Sequence, residues 1–251
     1  MSGWHVKTPA EIEIQRAAGM IVFQALEEIA KAVAPGITTA ELNRIGETYI
    51  RDCGAEPAFL GYRGFPASVC ISIDDEVVHG IPGPRRLEEG MVVSFDIGAK
   101  LDGFYGDSAR TVAVGRIAEE DRRLIEVTRE ALAKGIAQAW PGRRLFDIST
   151  AIQRHAEQAG YSVVRDLVGH GIGRKMHEEP KVPNYGTPGG GPELQEGLVI
   201  AIEPMVNAGG SAVRVAADRW TVRTEDGSKS AHFEHTVAIT RQGPDILTAK
   251  G

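Results

Sequence analysis

The feature that most constrains this 251-residue chain is a set of structural marks that it carries twice. Pro35-Gly36 and Pro141-Gly142 lie 106 residues apart, and Gly54 and Gly160, each closing a helical stretch, keep the same offset. The segment "LEEGMVVSFD", ending at Asp96, aligns at an offset of 107 with "LQEGLVIAIE", ending at Glu203. A unit of about a hundred residues is too long for a solenoid repeat. The expected product is therefore two similar halves, about 8–115 and 119–251, each on an α-α-β plan and facing each other across a pseudo-two-fold axis. Such an axis brings Asp96 and Glu203 together.

Local signals fill in the plan. Thr8, Pro9 and Glu11 form a capping box with proline at the first helical position, so a helix is expected from there to about Ala34. Thr38 and Glu41 make a second capping box for a helix that Gly54 ends. Strand-like segments run from about Ser68 to Gly115, and "EEDRRLIEVTREALAKGIAQAW" returns to helix until Pro141-Gly142. A shorter helix is expected to start at Asp147 as N-cap and stop at Gly160, with strands filling much of the rest.

An acid at the end of the apolar run "GLVIAIE" raises a chemical question, because a buried unpaired carboxylate costs several kcal/mol. Bringing Asp96 beside Glu203 makes that cost larger unless a proton or a cation intervenes. Asp102-Gly103 suits a two-residue hairpin turn, and counting back from it pairs Gly98 with Asp107. Asp96 and Asp107 then become diagonal cross-strand neighbours about 7 to 8 Å apart, within reach of one metal ion. Glu234, in "HFEHTVAIT", sits before a "TVAI" that matches the "TVAV" after Asp107, and supplies a fourth acid. His170 in "GHGIG", His79 in "VVHGIP" and His177 in "RKMHEEP" are candidate imidazoles for the same site, whereas His5, His155, His232 and His235 carry no such signal.

The 28 basic and 34 acidic residues give a net charge of -6 without a long run of one sign, which argues against direct nucleic-acid binding. Cys53 and Cys70 form neither a disulfide framework nor a thiolate zinc cluster, as expected for a reducing cytoplasm. No export signal and no 18-residue apolar run occurs, so no membrane association is expected.

Taken in order, "HGIP", "DIGAKLDGFYGDSART", "GHGIG", "MHEEP", "EGLVIAIEPM" and "HFEHTVAIT" resemble the motifs of short, bacterial-type type I methionine aminopeptidases over most of the chain from Thr8 onward. The resemblance implies an α+β pita-bread (creatinase/aminopeptidase) fold, a single catalytic domain over 1–251 with curved antiparallel sheets around a dinuclear metal site. It implies Asp96, Asp107, His170, Glu203 and Glu234 as ligands of two divalent ions, with Co, Mn, Fe(II) and Zn all compatible with the donor set. By the same resemblance, Asp107 and Glu234 bridge the ions, and a metal-bridging water is the nucleophile. Glu203 acts as general base and then acid, His177 faces the scissile carbonyl oxygen and His79 the scissile amide nitrogen. Tyr62, Phe65, Cys70 and Trp220 fall where the family lines its methionine slot. Phe59 and Met176 fall there too, but stand where some relatives carry cysteine and phenylalanine.

The implied reaction is removal of the N-terminal methionine from nascent proteins and peptides with a small second residue. The implied setting is a cytoplasmic monomer working near the ribosome without a ribosome-binding extension. Met1-Ser2 would itself qualify as a substrate. Relatives that cleave Xaa-Pro bonds or hydrolyse creatine carry an extra N-terminal domain, for which a first helix beginning by Thr8 leaves no room. Type II methionine aminopeptidases insert a helical segment before the last glutamate, and here Glu203 and Glu234 are too close for one. Non-catalytic binding proteins on this fold lose ligands, and a two-metal phosphatase or nuclease would need a phosphate-cradling loop or arginine clamp that the sequence lacks.

Overall fold

The computed structural model describes residues 4–250, so Met1-Ser2 lies outside the described residues. Helices α1 (Pro9–Ala32) and α2 (Thr39–Asp52) precede strands β1 (Glu56–Pro57), β2 (Val69–Ile73), β3 (Glu76–Val78), β4 (Val92–Leu101) and β5 (Phe104–Ala113). Helices α3 (Glu119–Ile136) and α4 (Leu145–Gln158) then precede β6 (Ser162–Val163), β7 (Gly169–Gly171), β8 (Glu178–Val182), β9 (Val199–Ile202) and β10 (Met205–Asn207). Strands β11 (Val213–Val215), β12 (Val222–Thr224), β13 (Ser230–His232), β14 (His235–Thr240) and β15 (Gly243–Ile246) complete an α+β chain. None of these helices is long and apolar enough to cross a membrane.

The two sets of marks correspond to two sets of contacts. Thr38 bridges Arg86 in one half, and Arg144 bridges Glu193 in the other, at offsets of 106 and 107. The Gly36 amide donates to the Leu87 carbonyl (2.7 Å) and the Gly142 amide to the Leu194 carbonyl (2.9 Å). Both glycines take positive φ, 96° and 82°, which a side chain would resist. The first of these turns also explains why α1 stops at Ala32, slightly before the expected Ala34. Each half has its own apolar core, with Leu42, Phe95 and Ile97 in the first and Leu124, Ile148 and Ile202 in the second.

Both capping boxes form: Thr8 accepts from the Glu11 amide and Thr38 from the Glu41 amide. The expected cap at Asp147 is corrected. Helix α4 starts at Leu145 after Arg144, and Asp147 sits at the third position, where its carboxylate accepts from the Arg144 amide (3.0 Å). It thereby does what Glu41 does for the Thr38 amide (2.9 Å), and the duplicated position specifies this better than cap propensity does.

Strands β4 and β5 form a hairpin whose turn residues Asp102 and Gly103 take φ of 48° and 82°, and the register pairs Gly98 with Asp107. In one four-stranded sheet β4 pairs with β1, β2 and β5. In a five-stranded sheet the order is β15-β14-β9-β7-β8, so β9 pairs with β14 as β4 pairs with β5. A seam joins the two sheets. The Glu234 amide donates to the Ala109 carbonyl (3.0 Å), Thr236 Oγ1 to the Asp107 carbonyl (2.8 Å), and Thr111 Oγ1 to the His232 carbonyl (2.8 Å). Residues 107–111 thus run antiparallel to residues 232–236.

Helix α1 lies close on β5 because both surfaces offer glycine. A Cβ on Gly106 would meet the Gly19 backbone nitrogen at 2.7 Å and its Cα at 2.8 Å. Gly106→Ala is expected to destabilise the fold by about 1 to 3 kcal/mol, the usual cost of overpacking. Denaturant unfolding checks this, and an unchanged midpoint would show that the helix can move off the sheet.

Candidate metal centre and substrate cavity

The seam and the two hairpin-like strand pairs carry the acids to one place. Asp96 is on β4, Asp107 on β5, His170 on β7, Glu203 directly after β9, and Glu234 between β13 and β14. All five line a single cavity of about 150 Å³. Asp107, His170 and Glu234 are buried, and each offers a ligand atom within 4.8 Å of the others. Asp96 and Glu203, the counterparts in the two halves, keep partial exposure. His170 Nε2 lies 3.6 Å from Glu203 Oε1.

The donors are chemically suited to cations. Asp96 Oδ1, Asp107 Oδ1 and Glu234 Oε1 are buried without a hydrogen-bond partner, an arrangement that a protein tolerates where a proton or a cation completes it. Burial, then the neighbouring carboxylates, push Asp107 and Glu203 well above the usual carboxylate range, and Glu234 likewise. Burial also carries Asp96 up to about 7. His170 contacts the Gly171 carbonyl through Nδ1 (2.9 Å), which leaves the Nε2 lone pair toward the acids, and burial lowers its pKa to about 4. Four carboxylates with one neutral imidazole make an oxygen-rich site for divalent ions.

The chain matches the profile of metallopeptidase family M24 over residues 13–241. It is 55% identical to methionine aminopeptidase 1 of Bacillus subtilis over 242 residues, covering 96% of this chain and 98% of that one. The chain belongs to metallopeptidase family M24. Among solved M24-type structures, methionine aminopeptidase of Thermotoga maritima superposes with a TM-score of 0.97 at 46% identity, covering 98% of this chain and 99% of that one. Prolidase from Pyrococcus furiosus superposes at 0.79 with 26% identity, covering 98% of this chain and 66% of that one. The architecture is the pita-bread fold, the M24 methionine aminopeptidases use divalent metal ions, and Asp107, His170 and Glu234 form a cluster that could hold one.

The remaining named residues divide. Phe59, Tyr62, Phe65, Cys70, His79, His177 and Trp220 face the same cavity. Trp220 packs edge-on to Phe65, with ring centroids 5.2 Å apart. Met176 is 1% exposed and lies behind this wall in the apolar cluster with Phe59 and Ile172, because its methyl fills the space that Gly98 leaves open. Burial, then the nearby acids, push the Cys70 thiol well up, so Cys70 is an apolar wall and no nucleophile. His79 holds φ of 59°, uncommon for a non-glycine residue, immediately after β3.

Two neighbours of the site, Arg63 and Asn184, carry no distinctive local sequence pattern. Arg63 lines the cavity from a left-handed backbone position with φ of 51°. Asn184 donates through Nδ2 to the Glu203 carbonyl (3.0 Å) and so anchors the backbone that carries that acid.

Proposed function

We propose that this chain hydrolyses the N-terminal methionine from polypeptides with a small second residue, using two divalent cations. The observation that carries the reading is that one cavity of about 150 Å³ joins the acid cluster to a wall of Phe59, Phe65, Cys70 and Trp220. That volume suits one linear apolar side chain, and aromatic and sulfur walls suit a thioether. A cleft of about 800 Å³ adjoins it through Arg63, His170 and His177, and offers the rest of the polypeptide a path outward.

Asp96, Asp107, His170, Glu203 and Glu234 would hold the ions. Divalent cations in such a site supply an acidified water and polarise the scissile carbonyl. Glu203 takes up a proton at its carboxylate and hands it to the leaving amine. His177 donates to the carbonyl oxygen as charge develops there, and His79 contacts the scissile nitrogen. The apolar walls exclude competing water. We read residues 1–251 as one catalytic unit, monomeric and cytoplasmic, acting on nascent chains near the ribosome.

The test incubates metal-loaded protein with Met-Ala-Ser, Leu-Ala-Ser and Ala-Pro peptides, with and without chelator. Chelator-sensitive release of methionine is expected, and its absence rejects the reading. His177→Ala and His79→Ala are expected to keep fold and bound metal while losing about 10²- to 10³-fold in turnover. Wild-type turnover in either purified variant would remove that residue from its role.

A further inference from the structure

Two imidazoles sit side by side in this cavity, His170 and His177, with ring centroids 4.1 Å apart. They differ in what meets Nδ1. At His170 it is the Gly171 carbonyl, which can only accept, so Nδ1 carries the proton and Nε2 a lone pair. At His177 it is the phenol of Tyr62, 2.8 Å away.

We propose that Tyr62 is a positioning residue that donates to His177 Nδ1, and so holds His177 as the tautomer with its proton on Nε2. The proposal rests on the role given to His177 above and explains how that residue can be a donor. A neutral imidazole nitrogen is a better acceptor than a phenol oxygen, so the hydrogen bond runs from Tyr62 to His177. The Arg63 guanidinium, 5.4 Å from the Tyr62 ring centroid, strengthens that direction by drawing electron density from the phenol. Two neighbouring rings restrain the orientation of His177, since Tyr62 lies nearly parallel to it, 14° apart at 5.3 Å, and His170 packs against it as well. Neighbouring histidines are thereby sorted into opposite tautomers. One presents a lone pair to a cation and the other an N–H to a carbonyl.

The decisive measurement is the ¹⁵N histidine spectrum of the metal-free full chain. His177 is expected to show protonated Nε2 and bare Nδ1, and His170 the reverse pattern as an internal control. In Tyr62→Phe, which keeps the ring, His177 is expected to become a tautomer mixture while His170 is unchanged. Kinetics on Met-Ala-Ser with Mn-loaded enzyme form the second arm. Loss of this hydrogen bond is expected to lower kcat about tenfold with KM nearly unchanged, and to have no further effect in a His177→Ala background. A wild-type spectrum with the proton on His177 Nδ1, or an equal kcat loss in the His177→Ala background, overturns the proposal. Wild-type enzyme that releases no methionine overturns the functional reading instead, and the spectrum then decides the role of Tyr62 alone.

Discussion

Glu203→Gln is expected to lower turnover about 10²- to 10⁴-fold, the range over which a positioned acid–base group contributes, and to raise the stability of the metal-free protein. The two effects have one origin. Glu203 sits where burial comes first, and Asp96 and Asp107 second, in pushing its pKa well up. The amide keeps the shape and one oxygen donor but can neither take up a proton nor repel those acids. Its backbone remains anchored by Asn184, so the loss is chemical and not architectural. Steady-state kinetics with saturating divalent ion, beside thermal unfolding of the chelated protein, measures both. Full activity in this variant would remove Glu203 from proton transfer. A lower melting temperature without metal would show that its charge was already compensated.

Stability of the chelated protein is expected to fall as pH rises above about 6.5. Asp96, carried up to about 7, and Asp107, Glu203 and Glu234, pushed well up, hold protons in the native state that an unfolded chain has released. Native protein then binds more protons than unfolded protein, so each excess proton lowers stability by about 1.4 kcal/mol per pH unit. The buried histidines act oppositely. His170 and His235, lowered to about 4, and His177 and His232, lowered to about 3, stay neutral where an unfolded histidine is charged. They add stability as pH rises, but only up to the ordinary histidine pKa of about 6.5. Below that value the two sets offset each other, and above it only the acids remain. Added Mn should reverse the loss, with a stabilisation that grows with pH because binding displaces protons. Melting temperatures at several pH values with and without Mn provide the check. A chelated protein that gains stability between about pH 6.5 and 8.5 would mean that the acids are ionised and paired some other way.

Much of this arrangement was legible because the duplication made one half predict the other. The Asp102-Gly103 turn specified the Gly98–Asp107 register, since a two-residue loop leaves no freedom to slip. Motif resemblance then named the donors that the structure gathers in one cavity. What stayed hidden depends on contacts between distant segments. Tyr62 meets His177 across 115 residues, and Met176 is placed by a space beside Gly98 that no local pattern announces. Propensity places a cap at Asp147, but side-chain propensity alone does not separate a capping residue from its partner three positions on.

The seam between residues 107–111 and 232–236 joins one copy to the other. After most duplications one copy is spare and free to decay. Here neither copy holds all of the proposed ligands: of the five that line the cavity, Asp96 and Asp107 come from the first, and His170, Glu203 and Glu234 from the second. The two halves are complementary, an aspartate in one answering a glutamate in the other. On the proposed ligand set neither half is redundant, and a lesion in either is expected to be felt where both meet.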